Sequence, residues 1–334
     1  MKRKKEVLEI KDVSVALGTK KFDYLMVEEA TTLRTFQYNT IIGPPRQRAV
    51  MIPLMTINGS SPGPTLCITA GVHGCEYTGI EASIRTYNQI DPGDLKGSLL
   101  IVPVVNPASF WTMTPYVNIQ DGVDISDAYG TEGQTVSYFI AKTLLENVLS
   151  KADLIVDFHA GDLLEELLPH SGFTKTGNEK VDSKSEMFSR VFGLETISET
   201  VASERVGKLA LDIPQIFVEV GCCGKLEERF VTLAMTGISN LMKKMGMMEG
   251  EPVLPQKQIV WHSKALIYTK SRGIFQSKVQ VGDEVKERQI IGEIKNLQGH
   301  VEEKILAPYE GVVYLKMYNP VKHPGDLLFK CFIG

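Results

Sequence analysis

Cysteine is scarce in this chain. Five occur in 334 residues, at Cys67, Cys75, Cys222, Cys223 and Cys331, an odd number with no CxxC pair. A disulfide framework is therefore not expected, and a reducing compartment fits. A basic excess is missing too. Lys and Arg number 36 against 40 Asp and Glu, a formal net charge of −4, whereas a general nucleic-acid binder carries a basic stripe. The Lys2-Arg3-Lys4-Lys5 run is short and terminal and reads as a solvated tip. No apolar run reaches the ~18 residues of a membrane helix. Glu6, Glu9, Lys11 and Asp12 interrupt the start, so no secretory signal is expected. No period of about 20–50 residues recurs, which excludes a solenoid. These absences predict a soluble, cytoplasmic protein with neither nucleic acid nor membrane as partner.

What is present is an ordinary globular composition, 43% hydrophobic and 23% charged. The first fifty residues read as short strands and turns, with Val13 to Leu17 and Ala49 to Ile57 alternating as half-buried strands do. After the Asn58–Pro64 turn cluster, strands and helices alternate. Strands are expected at Thr65–Ala70, Ser98–Val105, Ala152–Phe158 and Gln215–Val220. Helices are expected at Thr78–Ile90, Thr135–Leu149, Ser185–Phe192 and Leu226–Lys244. This pattern predicts an α/β fold, a mostly parallel or mixed sheet with flanking helices. Pro252 and Pro255 mark a boundary, and beyond it glycines punctuate short strands with no helical period. The expected division is a catalytic domain over 1–252 and a small all-β domain over 253–334.

Four polar signals fall at the ends of the expected strands. They are His73 and Glu76 after the first, Asn106-Pro107 after the second, His159 after the third and Glu219 on the fourth. In an open α/β sheet, ligands bind outside the carboxyl ends of the strands. Two His and one Glu form a common catalytic zinc set that leaves a position for water. Glu219 would then act as general base on that water. A carboxylate among Ile216, Phe217, Val218 and Val220 is costly to bury unless paired or functional. Asp157 is in phase with His159 and would orient its imidazole. Cys75 reads as a small packing residue, and Cys222-Cys223 as core or loop thiols.

These residues resemble the succinylglutamate desuccinylase/aspartoacylase family of zinc carboxypeptidase-like deacylases. The resemblance is carried by Ala70-Gly71-Val72-His73-Gly74-Cys75-Glu76, Asn106-Pro107, Val156-Asp157-Phe158-His159 and Val218-Glu219-Val220-Gly221. It implies His73, Glu76 and His159 as ligands of one zinc ion per chain and Glu219 as the catalytic carboxylate. It implies hydrolysis of a small N-acylated amine or amino-acid derivative. Gly282-Asp283-Glu284-Val285 and Ala307-Pro308-Tyr309-Glu310-Gly311 resemble biotinyl/lipoyl-like sandwiches. Without a Met-Lys-Met tip, no attached cofactor is expected there.

The chain departs from the family where a substrate carboxylate is gripped. The family's Asn-Arg pair is replaced by Ser126-Asp127, and a second arginine, near Pro115, is absent. Asp127 would repel a carboxylate and attract an amine. Asp162, Glu165 and Glu166 would add to an acidic pocket. The expectation is a substrate that carries an amine or lacks a free carboxylate, with Asn106, Tyr116 and Asp127 as candidate contacts. Tyr116, Asn118 or Lys175 would replace the missing arginine. Alternatives are a metallocarboxypeptidase acting on peptides and a catalytically weak, metal-containing binding protein. A homo-oligomer is compatible with the sequence.

Overall fold

A computed structural model describes residues 16–27, 50–130, 132–202 and 212–334. The basic start and most of the expected Val13–Leu17 strand lie outside these residues. The catalytic region is built on β1 (Thr19–Val27), β2 (Val50–Asn58), β3 (Ser61–Thr69), β4 (Lys96–Val102) and β5 (Leu154–His159). Three short elements follow, β6 (Glu165–Leu167), β7 (His170–Lys175) and β8 (Thr196–Val201), then β9 (Gln215–Glu219) and β10 (Ile259–Trp261). The helices are α1 (Tyr77–Gln89), α2 (Pro107–Thr112), α3 (Ile125–Ala128), α4 (Val136–Asn147), α5 (Glu179–Phe192) and α6 (Glu228–Lys244).

The large sheet runs β1-β2-β4-β3-β5-β9-β7-β8-β10. Its centre, β4-β3-β5-β9, is parallel, while β2 and β7 join antiparallel at either side. Central parallel strands are covered on both faces, so they read as continuous apolar runs. Leu66, Ile68 and Val156 pack into the core under α1, α5 and α6. Cys67 and Ile155, one residue out of phase, pack with Ile140 and Leu144 of α4 on the opposite face.

Eight further strands follow: β11 (Ser263–Tyr268), β12 (Gly273–Ser277), β13 (Glu284–Val285), β14 (Ile290–Lys295), β15 (Val301–Leu306), β16 (Gly311–Met317), β17 (Val321–Lys322) and β18 (Leu327–Ile333). They form two sheets, β11-β18-β16-β13 and β15-β14-β12-β17. Phe275, Ile291, Ile294, Val313, Leu328 and Phe329 are among the residues of the core between them. The module is tied to the large sheet by β6, which pairs antiparallel with β16. A short strand beyond Pro255, β10, pairs with β8 at the edge of the large sheet.

Candidate active site

The ends of β3, β5 and β9 stand side by side in the sheet, with His159 in register with Glu219. Gly71 turns the chain out of β3 at φ +63, a conformation that glycine adopts freely. The loop then delivers His73 and Glu76 to the same spot. Glu76 occupies the N-cap of α1 but makes no capping hydrogen bond. Its carboxylate instead spans both imidazoles, with Oε1 2.8 Å from His73 Nδ1 and Oε2 3.1 Å from His159 Nδ1. One donor atom from each of His73, Glu76 and His159 lies within 4.8 Å of the other two.

The far nitrogens of both rings face other carboxylates. His159 Nε2 lies 3.2 Å from Asp157 Oδ2, and Asp157 Oδ1 accepts from Thr69 Oγ1 at 2.6 Å. His73 Nε2 is 3.5 Å from Asp124 Oδ2, a charge contact without hydrogen-bond alignment. Inner nitrogens on a shared point and outer nitrogens on carboxylates is the arrangement that fixes histidine ligands of a metal. Burial opposes charge on His73, yet Glu76 and Asp124 outweigh it and hold the imidazole up to about 10. Burial likewise opposes charge on His159, and Asp157 and Glu76 raise it well above its ordinary range. The surrounding carboxylates thus concentrate negative potential where a cation would sit, and the two imidazoles and the carboxylate are a donor set that fits a divalent metal such as zinc.

Glu219 lines the same cavity, of about 260 Å³. Burial pushes its carboxyl up to about 7, against the pull of His159. Tyr116 joins the wall with φ +59, an uncommon backbone for a non-glycine residue. Burial and Glu165 push its phenol above the ordinary tyrosine range.

Other expected residues are placed differently. Asn106 is buried and caps α2, accepting from Ser109 N and donating to the Val72 carbonyl. Asp127 is exposed on α3. Neither contributes to the cavity wall. Glu165 does, whereas Glu166 pairs with Lys316 at 2.7 Å and Asp162 accepts from the Tyr116 and Leu163 amides. Lys175 pairs with Glu199 at 3.0 Å, and Asn118 accepts from Gln120 N in its own loop. Cys75 is buried, which pushes its thiol up to about 11 and keeps it protonated.

The sequence reading missed Asp124 and His170, and left open whether the β module shapes the pocket entrance or a subunit contact. Lys264, Tyr314, Leu315 and Lys330 all line the cavity. The face of β11-β18-β16 opposite the module's own core therefore closes the site. Tyr314 stacks on Phe332 at 3.9 Å, and His170 packs edge-on to both rings.

The succinylglutamate desuccinylase/aspartoacylase catalytic-domain model matches residues 62–245. The chain belongs to this family. It is 23% identical over 298 residues to N-alpha-acetyl-L-2,4-diaminobutyric acid deacetylase of Halomonas elongata, covering 84% of this chain and 85% of that protein. Among solved structures, it resembles the product-bound ectoine utilization protein EutE (DoeB) of Ruegeria pomeroyi. That match has a TM-score of 0.83 at 19% identity, over 96% of this chain and 98% of the other. A succinylglutamate desuccinylase/aspartoacylase of Rhodobacter sphaeroides matches with a TM-score of 0.81 at 22% identity, over 95% and 96% of the two chains. At these identities the structural matches establish the fold of the family, including its β module.

Proposed function

We propose that this chain is a zinc-dependent deacylase that hydrolyses the amide of a small N-acylated amine or amino-acid derivative. The observation that carries this reading is the convergence of His73, Glu76 and His159 on one point, with buried Glu219 in the same cavity. Family membership and the likeness to a deacetylase support the amide chemistry. His73, Glu76 and His159 would hold one zinc ion, and Asp157 and Asp124 would orient the two imidazoles. When bound, zinc polarises the acyl carbonyl and lowers the pKa of water, from ~15.7 towards ~7.

Glu219 takes a proton from the attacking water and returns it to the departing nitrogen, so one carboxyl serves as base and then acid. Its burial suits both roles, because a carboxyl poised near neutrality exchanges protons readily at that pH. The cavity, about 260 Å³ and roofed by the β module, accommodates a small acylated metabolite. We assign the catalytic domain to about 1–252 and the β domain to about 253–334, with β10 reaching back to the large sheet.

Two measurements test this reading. Protein purified without chelator should contain near one zinc per chain, and His159→Ala should lose it. Glu219→Gln should keep the zinc but lower kcat on acylated substrates by about 10²–10⁴-fold. Metal-free wild-type protein, or a fully active Glu219→Gln variant, would overturn the assignment.

A further inference from the structure

The β module brings two lysines into a cavity already dense with ionisable groups. Lys264 on β11 and Lys330 on β18 both line it. Neither ammonium has an ion-pair or hydrogen-bond partner among the described residues, whereas nearby Lys316 is paired with Glu166 and Gln280. Lys264 Nζ lies 5.9 Å from the centre of the Tyr314 ring. Burial draws Lys264 below the ordinary lysine range, and the charge of Lys330 adds to that while Glu219 opposes it. Two lysines that face one cavity, neither with an ion-pair partner among the described residues, leave positive charge there that an anion would compensate.

Among the described residues, none of the cavity's carboxylates forms an ion pair with either lysine. Glu76 is held between two imidazoles and Glu165 lies against the Tyr116 phenol, while Glu219 attracts Lys264 only from beyond ion-pair distance. Where the family resemblance implies an Asn-Arg pair and, near Pro115, a second arginine, this chain has Ser126-Asp127 and no arginine. Asp127 stands off the cavity wall, so it does not bar a carboxylate from the cavity.

Resting on the deacylase reading, we propose that Lys264 and Lys330 together bind the free carboxylate of an N-acylated amino acid, replacing the missing arginines from the β module. The two ammonium groups hold the carboxylate while the acyl amide meets the His73–Glu76–His159 end of the cavity. This makes the module a determinant of specificity, and it reverses the sequence-based expectation of a substrate without a carboxylate.

The zinc-loaded enzyme should be assayed on a panel of Nα-acetyl amino acids, including Nα-acetyl-L-2,4-diaminobutyrate, and on the same compounds with the carboxylate converted to a neutral carboxamide. The wild type should favour the carboxylates about 10–100-fold in kcat/KM, the scale of one or two charge-assisted hydrogen bonds. Lys330→Met should raise KM for the carboxylates by about 10-fold or more with kcat little changed, and should leave the carboxamides unaffected. Lys264→Met should narrow the same preference, and Lys330→Arg should restore much of it. Equal turnover of carboxylates and carboxamides by the wild type would overturn the lysine assignment while leaving the deacylase reading intact. So would variants that lower both series equally. Failure to hydrolyse any member of either series would remove the deacylase reading and this inference with it.

Discussion

Glu76 gives up one role for another. A carboxylate at a helix N-cap ordinarily accepts from the backbone amides of the first turn. Here it turns away from α1 and bridges two imidazoles. That choice makes sense when the first need is a fixed donor set, and Asp157 and Asp124 extend the logic outward. Carboxylates behind ligand imidazoles typically contribute 10–100-fold in metal affinity. Asp124→Asn is therefore expected to weaken zinc binding by about 10–100-fold, read by competition with a chromogenic chelator. Unchanged affinity would show that the 3.5 Å approach of Asp124 to His73 carries no weight. The convergence of His73, Glu76, His159, Glu219 and Asp157 was legible in the sequence, because each sits at or near a strand end that hydrophobic periodicity marks. Asp124 was not, because no local pattern ties it to a histidine fifty residues earlier. Asn106 shows the converse: an Asn-Pro at a strand end serves structure, capping α2 and holding the Val72 carbonyl of the loop that carries His73.

At the scale of elements, the four central strands and their helices followed from apolar runs and 3.6-residue periodicity. The short edge strands did not. Three residues, Glu165–Leu167, form β6 only because β16 offers an edge more than a hundred residues later. Their own sequence, with two glutamates, argues for a loop. Packing between elements also sets tight limits. Gly79 of α1 sits on Phe158 of β5, and a Cβ there would come within 2.3 Å of the Phe158 Cβ. Helix and strand can approach this closely only without a side chain. Gly79→Ala should cost about 1–3 kcal/mol by overpacking, although alanine is the better helix former. Urea unfolding midpoints would read this. A stabilised variant would mean that α1 can move away from β5 freely. Phe158 precedes His159, so the same substitution should also weaken zinc binding.

The whole molecule works as a catalytic sheet with a β sandwich folded over its active edge, and His170 sits at the seam. It is fully buried among Phe217, Tyr314 and Phe332, one aromatic from the large sheet and two from the module. Its Nδ1 donates to the Leu168 carbonyl at 2.9 Å, and burial lowers its pKa to about 4. The unfolded chain, with histidine near 6.5, binds a proton first as the pH falls. Stability from this group is therefore complete above pH 6.5 and drains away towards pH 4. The loss reaches roughly 3 kcal/mol by the linkage of proton binding to folding. Glu219 pulls the other way across about pH 4.5 to 7, since its raised carboxyl favours the folded state at the acid end. The wild-type profile alone is thus a sum of opposing slopes. His170→Phe keeps a ring between sheet and module; it removes the titration and, equally at every pH, the hydrogen bond to the Leu168 carbonyl. The difference between wild-type and variant unfolding free energies should be flat above pH 6.5 and shift in favour of the variant by roughly 3 kcal/mol between pH 6.5 and 4. A difference that stays constant over that range would mean that His170 takes up its proton in the folded protein without parting the module from the sheet.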